Sequence, residues 1–293
     1  MKNVDLDRIR REKSMKELLD FSIVNIDKPA GPSSFQTDEF VKKWLGLSKT
    51  SHFGTLDPKV TGVLPIALNM ACKLLGYFIG HDKIYVGILH THKEIKLKIL
   101  QKIIDEEFTG KIKQLPPRRS KVKRQERERE VKKFEILEKQ GKDILFLTEV
   151  QAGTYIRKLA NDIGLKIGGA HMTELRRTKA SIFSEDDENF VSLYELKTAV
   201  EEYEKGNEEK LRKILIPAEI ISEILPVVHA KKEAVKSLYI GKPIFKKDIE
   251  EEEVPEKFLV FYGDNLIEVA RKSEEPGILA RPEFVMQPRK EGG

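Results

Sequence analysis

Cysteine is almost absent from this chain of 293 residues, which contains only Cys72. A single cysteine excludes a disulfide within the chain and any zinc site built from several cysteines. No apolar run approaches the ~18 residues of a membrane-spanning helix. The first 13 residues, MKNVDLDRIRREK, also lack the apolar segment of a secretory signal. We therefore expect a protein of the reducing cytoplasm, with no membrane partner.

Charge, in contrast, is abundant and unevenly distributed. Charged residues make up 34% and hydrophobic residues 40% of the chain, which is typical of a globular protein. The net charge is +5, yet residues 111–133 alone hold 11 Lys or Arg against three Glu, so the remainder is net negative. Concentrated positive charge is the electrostatic signature expected of a protein that binds a polyphosphate such as nucleic acid.

The centre of this basic segment contains two successive prolines, at 116 and 117, which exclude a continuous helix. Basic residues follow with no acid between them: Arg118, Arg119, Lys121, Lys123 and Arg124. Two interpretations are open at this point. The segment is either a solvated charged surface, as charge runs usually are, or a contact for nucleic acid.

Strand and helix patterns alternate through the first 183 residues, in the mixed order of an α+β sheet. Alternating apolar residues predict a strand over 83–92, whereas helical spacing predicts helices over 96–108 and 154–169. A Gly-Lys-Asp turn joins two predicted strands within 131–150.

Composition changes near residue 185, where an acidic region with two predicted helices begins. After residue 227, short strands separated by glycines predict a small β-barrel-like module of roughly 65 residues. The length fits one large and one small domain, at roughly 100–200 residues per domain. We predict an N-terminal arm packing on the C-terminal domain, a main domain and that C-terminal domain, with the bounds 1–20, 21–222 and 223–293.

One aspartate stands in apolar surroundings, in the stretch HFGTLDPKVTGVLP (52–65). A carboxylate such as Asp57 can be a metal ligand, a general base, a nucleophile or a turn cap, because Asp-Pro pairs often begin turns. A metal site is disfavoured, since His52 is the nearest other ligand and no second acid is close by. The sequence pattern alone leaves the remaining roles open.

The same stretch resembles motif II of the tRNA pseudouridine-55 synthase and dyskerin families, whose core is GxLDPx(A/V)TGxL. Further segments resemble the other family motifs in order: IDKPAGPSS (26–34), KIYV (83–86), QLPPRRSKVKR (114–124), AGTYIRKL (152–159) and GGAHMTELRRT (168–178). The resemblance implies an α+β fold, in which a mixed-sheet catalytic domain carries a central cleft. The segment 227–244 partly resembles a PUA domain, an RNA-binding fold.

Two positions depart from the pattern of the bacterial enzymes. Ser51 and Phe53 stand where a glycine and a small residue usually precede the Leu-Asp-Pro core. Both positions lie outside that core. The departure therefore bears on the conformation of the loop and its fit to RNA, and not on the reaction.

The resemblance implies that the chain isomerises uridine to pseudouridine in RNA. Nothing is added or removed in this reaction, so no cofactor and no metal are expected. Asp57 is the implied nucleophile or sugar-activating carboxylate, and we expect it to be held out of water. A carboxylate in apolar surroundings stays ionised only beside a cation, and the resemblance supplies Arg157 for that purpose.

The other implied site residues surround the flipped base, which must first leave the RNA stack. Tyr85 stacks on the base, and whether it also transfers a proton stays open. Leu175 packs against the base or the aspartate. Lys28 and Pro29 support the floor of the site, and His52 helps to flip the base or holds the RNA loop. The substrate-binding residues of the basic loop are Arg118, Arg119, Lys121 and Arg124.

The basic loop resembles the archaeal and eukaryotic dyskerin-like branch more than the bacterial one. The resemblance implies a catalytic subunit of a box H/ACA ribonucleoprotein, in which a guide RNA selects a uridine of rRNA and small accessory proteins assist. Archaeal members also modify the T-loop of tRNA without a guide. The alternatives are a non-catalytic RNA-binding scaffold of the same fold, or a PUA-bearing methyltransferase, for which a flanked glycine-rich turn is missing.

Overall fold

The computed structural model describes residues 4–116 and 123–286. The α-helices of this part of the chain are α1 (Leu6–Glu12), α2 (Met15–Asp20), α3 (Ser34–Trp44), α4 (Leu75–Ile79), α5 (Leu97–Glu107), α6 (Ile156–Ile167), α7 (Leu193–Glu204), α8 (Glu209–Ile214) and α9 (Val235–Leu238). The strands are β1 (Ser22–Lys28), β2 (Thr50–His52), β3 (Thr61–Leu68), β4 (Lys83–Thr91), β5 (Gly110–Gln114), β6 (Arg127–Gln140), β7 (Asp143–Val150), β8 (Ala170–Ala180), β9 (Phe183–Ser184), β10 (Phe190–Ser192), β11 (Ile216–Pro217), β12 (Val227–His229), β13 (Lys257–Tyr262), β14 (Asn265–Lys272) and β15 (Ala280–Val285).

In the described part of the chain, the main domain is built on a mixed sheet of eleven strands, ordered β10-β1-β3-β8-β4-β7-β6-β5 with β2, β9 and β11 attached to it. The pairs β1–β10 and β3–β8 are parallel, whereas the other neighbours along this path are antiparallel. This arrangement confirms the predicted α+β fold with a mixed sheet. The strand predicted over 83–92 is β4, and the helices predicted over 96–108 and 154–169 are α5 and α6.

The centre of the sheet depends on a close approach between β3 and β8. Their parallel pairing joins Thr61 to Arg176 and Gly62 to Arg177. Gly62 has a φ of +98°, and a β-carbon there would lie 2.2 Å from the main-chain oxygen of Arg177. Only glycine therefore allows the two strands to meet. The contact places the turn before β3, which carries Asp57, beside β8.

Helix ends follow the sequence signals. Ser33 caps α3: its hydroxyl accepts a hydrogen bond from the main-chain N–H of Gln36, and the side-chain oxygen of Gln36 accepts one from the Ser33 N–H. Helix α6 ends at Gly168, which adopts the left-handed conformation with a φ of +84°. These caps fix where each helix begins and ends, and hence where its side chains point.

An apolar cluster joins the main domain to the C-terminal module. Phe53 packs in it against Phe78, with ring centroids 4.7 Å apart, and Leu259 and Phe261 of β13 belong to the same cluster. Phe53 is almost fully buried. Phe53, which departs from the small residue of the bacterial pattern, thus anchors the loop before Asp57 in the core.

The C-terminal module is a four-stranded sheet, ordered β12-β13-β14-β15. Two isolated bridges, Ala230–Ile249 and Ile244–Ala280, add pairing around it. Arg8 of α1 contacts Asp264 of this module at 2.5 Å. The domain bounds stay a prediction. Within the described ranges 4–116 and 123–286, the helices are all too short or too polar to cross a membrane.

A carboxylate is buried in the C-terminal sheet. Glu268 of β14 has no exposed surface, and neither of its carboxylate oxygens has a hydrogen-bond partner among the described residues. Burial raises the pKa of Glu268 from 4.5 to about 8. The folded chain therefore binds more protons than the unfolded chain between these values, so stability falls as the pH rises through this window.

We predict that Glu268→Gln stabilises the protein at pH 8 by a few kcal/mol, because it removes the cost of a buried charge. The same variant should flatten the dependence of the unfolding temperature on pH between about 5 and 8. Thermal unfolding followed by circular dichroism measures both effects. Glu274→Gln, at an exposed position, is the control, and an unchanged slope in Glu268→Gln would contradict the prediction.

Candidate active site

Asp57 and Arg157, distant in sequence, form an ion pair. Arg157 Nη2 lies 2.7 Å from Asp57 Oδ2. Asp57 belongs to the turn before β3, and its main-chain oxygen accepts a hydrogen bond from the N–H of Val60 at 2.9 Å. Arg157 is the second residue of α6. The guanidinium thus approaches the aspartate from the start of a helix.

The expectation that Asp57 is held out of water is wrong for the free chain. Its side chain is 46% exposed and that of Arg157 is 58% exposed. The apolar neighbours Leu56 and Val60 are buried in the main core, whereas the turn directs the carboxylate outward. The apolar sequence around the aspartate anchors the turn and leaves its charge accessible.

Lys28 supports this turn from below, at the end of β1. Its side chain is fully buried, and its Nζ donates hydrogen bonds to the main-chain oxygens of Pro29 at 2.8 Å, Pro58 at 3.1 Å and Val60 at 2.9 Å. Burial lowers the pKa of Lys28, and the nearby charge of Asp57 opposes this effect. Pro29 itself is exposed and contributes only its carbonyl oxygen here.

Ser34 fixes the main chain directly before the aspartate. Its hydroxyl donates to the carbonyl oxygen of Leu56 at 3.0 Å and accepts from the N–H of Leu56 at 2.8 Å. Ser34 is buried, whereas its neighbour Ser33 caps α3. Sequence reasoning included both serines only as part of the segment IDKPAGPSS and gave them no role in the site. The available signal was the pair of adjacent serines at the start of a helix. A cap needs only one serine, so the other is left for a different role.

Tyr85 lies in β4, opposite Arg177 of β8 in the strand register. The Tyr85 side chain is largely buried and interacts electrostatically with the Arg177 guanidinium. Arg177 Nε donates to the oxygen of Val63 at 2.8 Å, and its Nη2 to the oxygen of Gly54 at 3.0 Å. Burial lowers the pKa of Arg177, and Tyr85 opposes this effect. Arg177, which sequence reasoning missed, connects the tyrosine to the loop that carries Asp57.

Leu175 is also buried, two residues before Arg177 in β8. It belongs to the same apolar cluster as Leu56 and Tyr85. Opposite it in β4 is Gly87, where a β-carbon would come within 3.0 Å of Leu175 Cδ1 and within 2.7 Å of Phe146. The leucine thus lies in a tightly packed layer of the core, in the cluster that also holds Leu56, the residue before Asp57.

His52 is held by both of its ring nitrogens. Nδ1 lies 2.5 Å from Asp38 Oδ2 of α3, and Nε2 lies 3.0 Å from the hydroxyl of Thr55. These contacts connect β2 to α3 and to the loop before Asp57. The predicted role of His52 in RNA binding stays a prediction, and the contacts show how the loop is anchored.

The basic loop is described only in part. Arg118, Arg119 and Lys121 lie outside the described residues, whereas Arg124 is exposed between β5 and β6. These two strands are antiparallel, with Gln114 opposite Arg127. The described parts of the basic segment are therefore strand and loop, in agreement with the exclusion of a continuous helix.

A cluster of three histidines, His90, His92 and His171, lies at the opposite end of β4 from Tyr85. His92 Nε2 is 3.1 Å from His171 Nδ1, and His90 Nδ1 is 2.7 Å from a carboxylate oxygen of Asp143. These contacts connect the ends of β4, β7 and β8. Over residues 4–116 and 123–286, no group of three or more His, Cys, Asp or Glu is arranged to hold a metal ion.

Comparison with known proteins identifies the family. The profile of the TruB family pseudouridylate synthase N-terminal domain matches residues 42–156, and that of the tRNA pseudouridylate synthase B C-terminal domain matches residues 157–222. The chain belongs to the TruB family of pseudouridylate synthases. The predicted family resemblance and the predicted enzyme class, an RNA pseudouridine synthase, are therefore confirmed.

Individual relatives agree with this assignment. A probable tRNA pseudouridine synthase B of Methanopyrus kandleri is 46% identical over 78% of this chain and 68% of its own. A probable tRNA pseudouridine synthase B of Methanocaldococcus jannaschii is 42% identical, over 81% of this chain and 70% of the relative. Among solved structures, a Cbf5-Nop10-Gar1 complex matches with a TM-score of 0.85 at 36% identity, over 96% of this chain and 89% of the other. An H/ACA RNP bound to a substrate RNA containing 2'-deoxyuridine matches with a TM-score of 0.84 at 34% identity, over 96% of this chain and 89% of the matched chain.

We predict that Ser34→Ala reduces both stability and activity. Loss of the hydroxyl leaves the N–H and C=O of Leu56 unpaired, which costs about 1–3 kcal/mol, and loosens the residue before Asp57. Ser33→Ala is the matched control, because it removes a cap worth about 1 kcal/mol without touching the turn. Urea unfolding and single-turnover pseudouridine formation measure the two effects. Equal rates in the two variants would contradict the prediction.

Proposed function

We propose that the chain converts uridine to pseudouridine in tRNA and at guide-selected sites of rRNA, the latter as the catalytic subunit of a box H/ACA ribonucleoprotein. The observation that carries the proposal is the 2.7 Å ion pair between Asp57 and Arg157 at the open face of the turn. The relatives named tRNA pseudouridine synthase B support the first substrate. The similarity to an H/ACA RNP bound to substrate RNA supports the second.

Asp57 is assigned as the carboxylate that acts on the sugar of the flipped uridine. The bond between C1′ and N1 breaks, the base turns, and C1′ bonds to C5. C5 then loses its proton and N1 gains one, so the product is an isomer and the atoms balance. In the free chain the carboxylate is half exposed to water. The entering nucleotide displaces this water, and the loss of water strengthens each electrostatic contact in the site.

Arg157 keeps a positive charge beside Asp57 when water leaves, because a guanidinium does not deprotonate in proteins. Lys28 adds a second positive charge behind the turn while it holds the turn's carbonyl oxygens. Tyr85 presents its ring to the base and lies beside the positive charge of Arg177. Leu175 supports the base from the apolar layer below. Pro29 and His52 hold the neighbouring main chain and loop.

RNA binding is assigned to the basic loop and the C-terminal module. Positive charge with no acid between suits the phosphates of the RNA backbone. We assign contact with that backbone to Arg118, Arg119, Lys121 and Arg124. The C-terminal module, within predicted bounds of 223–293, acts as the PUA domain. The similarity to a Cbf5-Nop10-Gar1 complex over 96% of this chain supports small accessory proteins as partners, and we propose the cytoplasm as the location.

The alternative, a non-catalytic RNA-binding scaffold, makes the Asp57–Arg157 pair dispensable. Asp57→Asn is expected to lower the rate of pseudouridine formation by at least roughly 10³-fold, because it removes the reacting carboxylate, while RNA binding is retained. The measurement is mass-spectrometric detection of pseudouridine in an unmodified tRNA transcript, and separately in a target RNA with its guide and accessory proteins.

Asp143→Asn is the control for this experiment. Asp143 is an exposed aspartate, 54% accessible, that contacts a histidine away from the site. Its variant should keep the parent's rate. An Asp57→Asn protein with the parent's rate would contradict the assignment of the carboxylate, and product on only one of the two RNAs would identify which substrate the chain modifies.

A further inference from the structure

Gln114, the last residue of β5, makes an unusual pair of contacts. Its side chain is buried, with 3% of the residue exposed. The carboxamide oxygen accepts a hydrogen bond from the N–H of Tyr155 at 3.0 Å, and the carboxamide nitrogen donates to the carbonyl oxygen of Tyr155 at 3.3 Å. One side chain thus pairs with one main-chain unit in the way that a neighbouring strand would.

Tyr155 is the residue at which α6 begins. It occupies the cap position, yet its own side chain makes no capping hydrogen bond. Its carbonyl oxygen accepts the first helical hydrogen bond, from the N–H of Leu159 at 3.0 Å, in addition to the bond from Gln114. Gln114 therefore holds the main chain at the start of the helix through the N–H and the C=O of Tyr155 itself, whereas a local Ser, Thr, Asp or Asn cap would accept from the N–H groups two or three residues further on.

Arg157 follows two residues after Tyr155. Its side chain is 58% exposed and meets Asp57 through Nη2. A long, exposed side chain receives little lateral support from packing, so its direction is set by the main chain from which it extends. A shift of about 1 Å in catalytic geometry costs about 10²-fold in rate. The main chain at Tyr155 is therefore a sensitive point for the reaction.

We propose that Gln114 is a positioning residue for pseudouridine formation, acting through Tyr155 to direct Arg157 at Asp57. This inference rests on the proposed function. It also connects the two halves of the site, because Gln114 lies opposite Arg127 at the point where β5 and β6 lead into the basic loop. Gln114 thus links the strand pair β5–β6, which flanks the basic loop, to α6, which carries Arg157.

The chain offers a matched control in Gln101. Its side chain also makes two hydrogen bonds to main-chain groups, donating to the oxygen of Phe134 at 3.0 Å and accepting from the N–H of Ile136 at 3.1 Å. These bonds join α5 to β6 and do not involve α6. Gln114→Met and Gln101→Met therefore each remove one bond donated to a main-chain oxygen and one accepted from a main-chain N–H. Gln101→Met also removes a bond to Asp105 Oδ1 within α5, at 2.8 Å, and only Gln114→Met loosens the main chain before Arg157.

The test measures single-turnover pseudouridine formation on an unmodified tRNA transcript, RNA affinity and urea unfolding for each variant. Gln114→Met is expected to lower the rate constant by about 10²-fold, with RNA affinity within about twofold of the parent. Gln101→Met is expected to keep the parent's rate at a similar loss of stability. Equal rates in the two variants would overturn the proposal.

Gln114→Glu gives a second readout and carries the test if Gln114→Met does not fold. A carboxylate still accepts from the N–H of Tyr155, but it can donate to the Tyr155 carbonyl only when protonated. The rate of this variant relative to the parent should therefore rise as the pH is lowered. A ratio that is independent of pH would overturn the proposal, whereas a parent protein that forms no pseudouridine would overturn the proposed function instead.

Discussion

The ion pair between Asp57 and Arg157 is the contact on which the organisation of the site depends. One partner lies in a turn before a strand, and the other lies at the start of a helix 100 residues later. They can meet only if β3 is in register beside β8. That register requires Gly62, because any side chain there would collide with the main chain of Arg177. The central glycine of the sheet and the central charge pair of the site are thus parts of one constraint.

The exposure of this pair indicates what it is for. Exposed ion pairs contribute only about 0–1 kcal/mol to stability, and both side chains here are about half accessible. Instead, buried side chains hold the main chain on either side of the pair. Lys28 and Ser34 hold the turn of Asp57, while Gln114 holds the start of the helix of Arg157. The charges stay open to substrate, and their supports are inaccessible to water.

Periodicity in the sequence predicted the regular elements well, because β4, α5 and α6 each repeat one pattern over nine or more residues. It missed β2, β5 and β10, which span three to five residues and are too short to show a period. Alternation also indicates that Arg176 and Arg177 face opposite sides of β8. It does not indicate which of them is buried, since that depends on the layer packed against each face.

Two of the supports of the site, Ser34 and Gln114, were beyond sequence reasoning for a related reason. Ser34 and Gln114 each bond to the main chain of a residue 22 or 41 positions away. Main-chain partners carry no mark in the sequence. Asp57, Tyr85 and Arg157 were accessible through their family motifs, which fix residue types at given spacings. The expectation of a dry aspartate failed because apolar neighbours indicate that a turn is anchored, and do not show which way its polar side chain points.

The most direct test of the central claim compares Arg157→Lys with Arg157→Met in single-turnover pseudouridine formation. Lysine keeps the positive charge, whereas methionine keeps most of the stem without it. Because the pair is exposed, both variants should retain the parent's stability. We predict a loss of about 10²–10³-fold for methionine and a smaller loss for lysine. A methionine variant with the parent's rate would contradict the claim that this charge serves the reaction of Asp57.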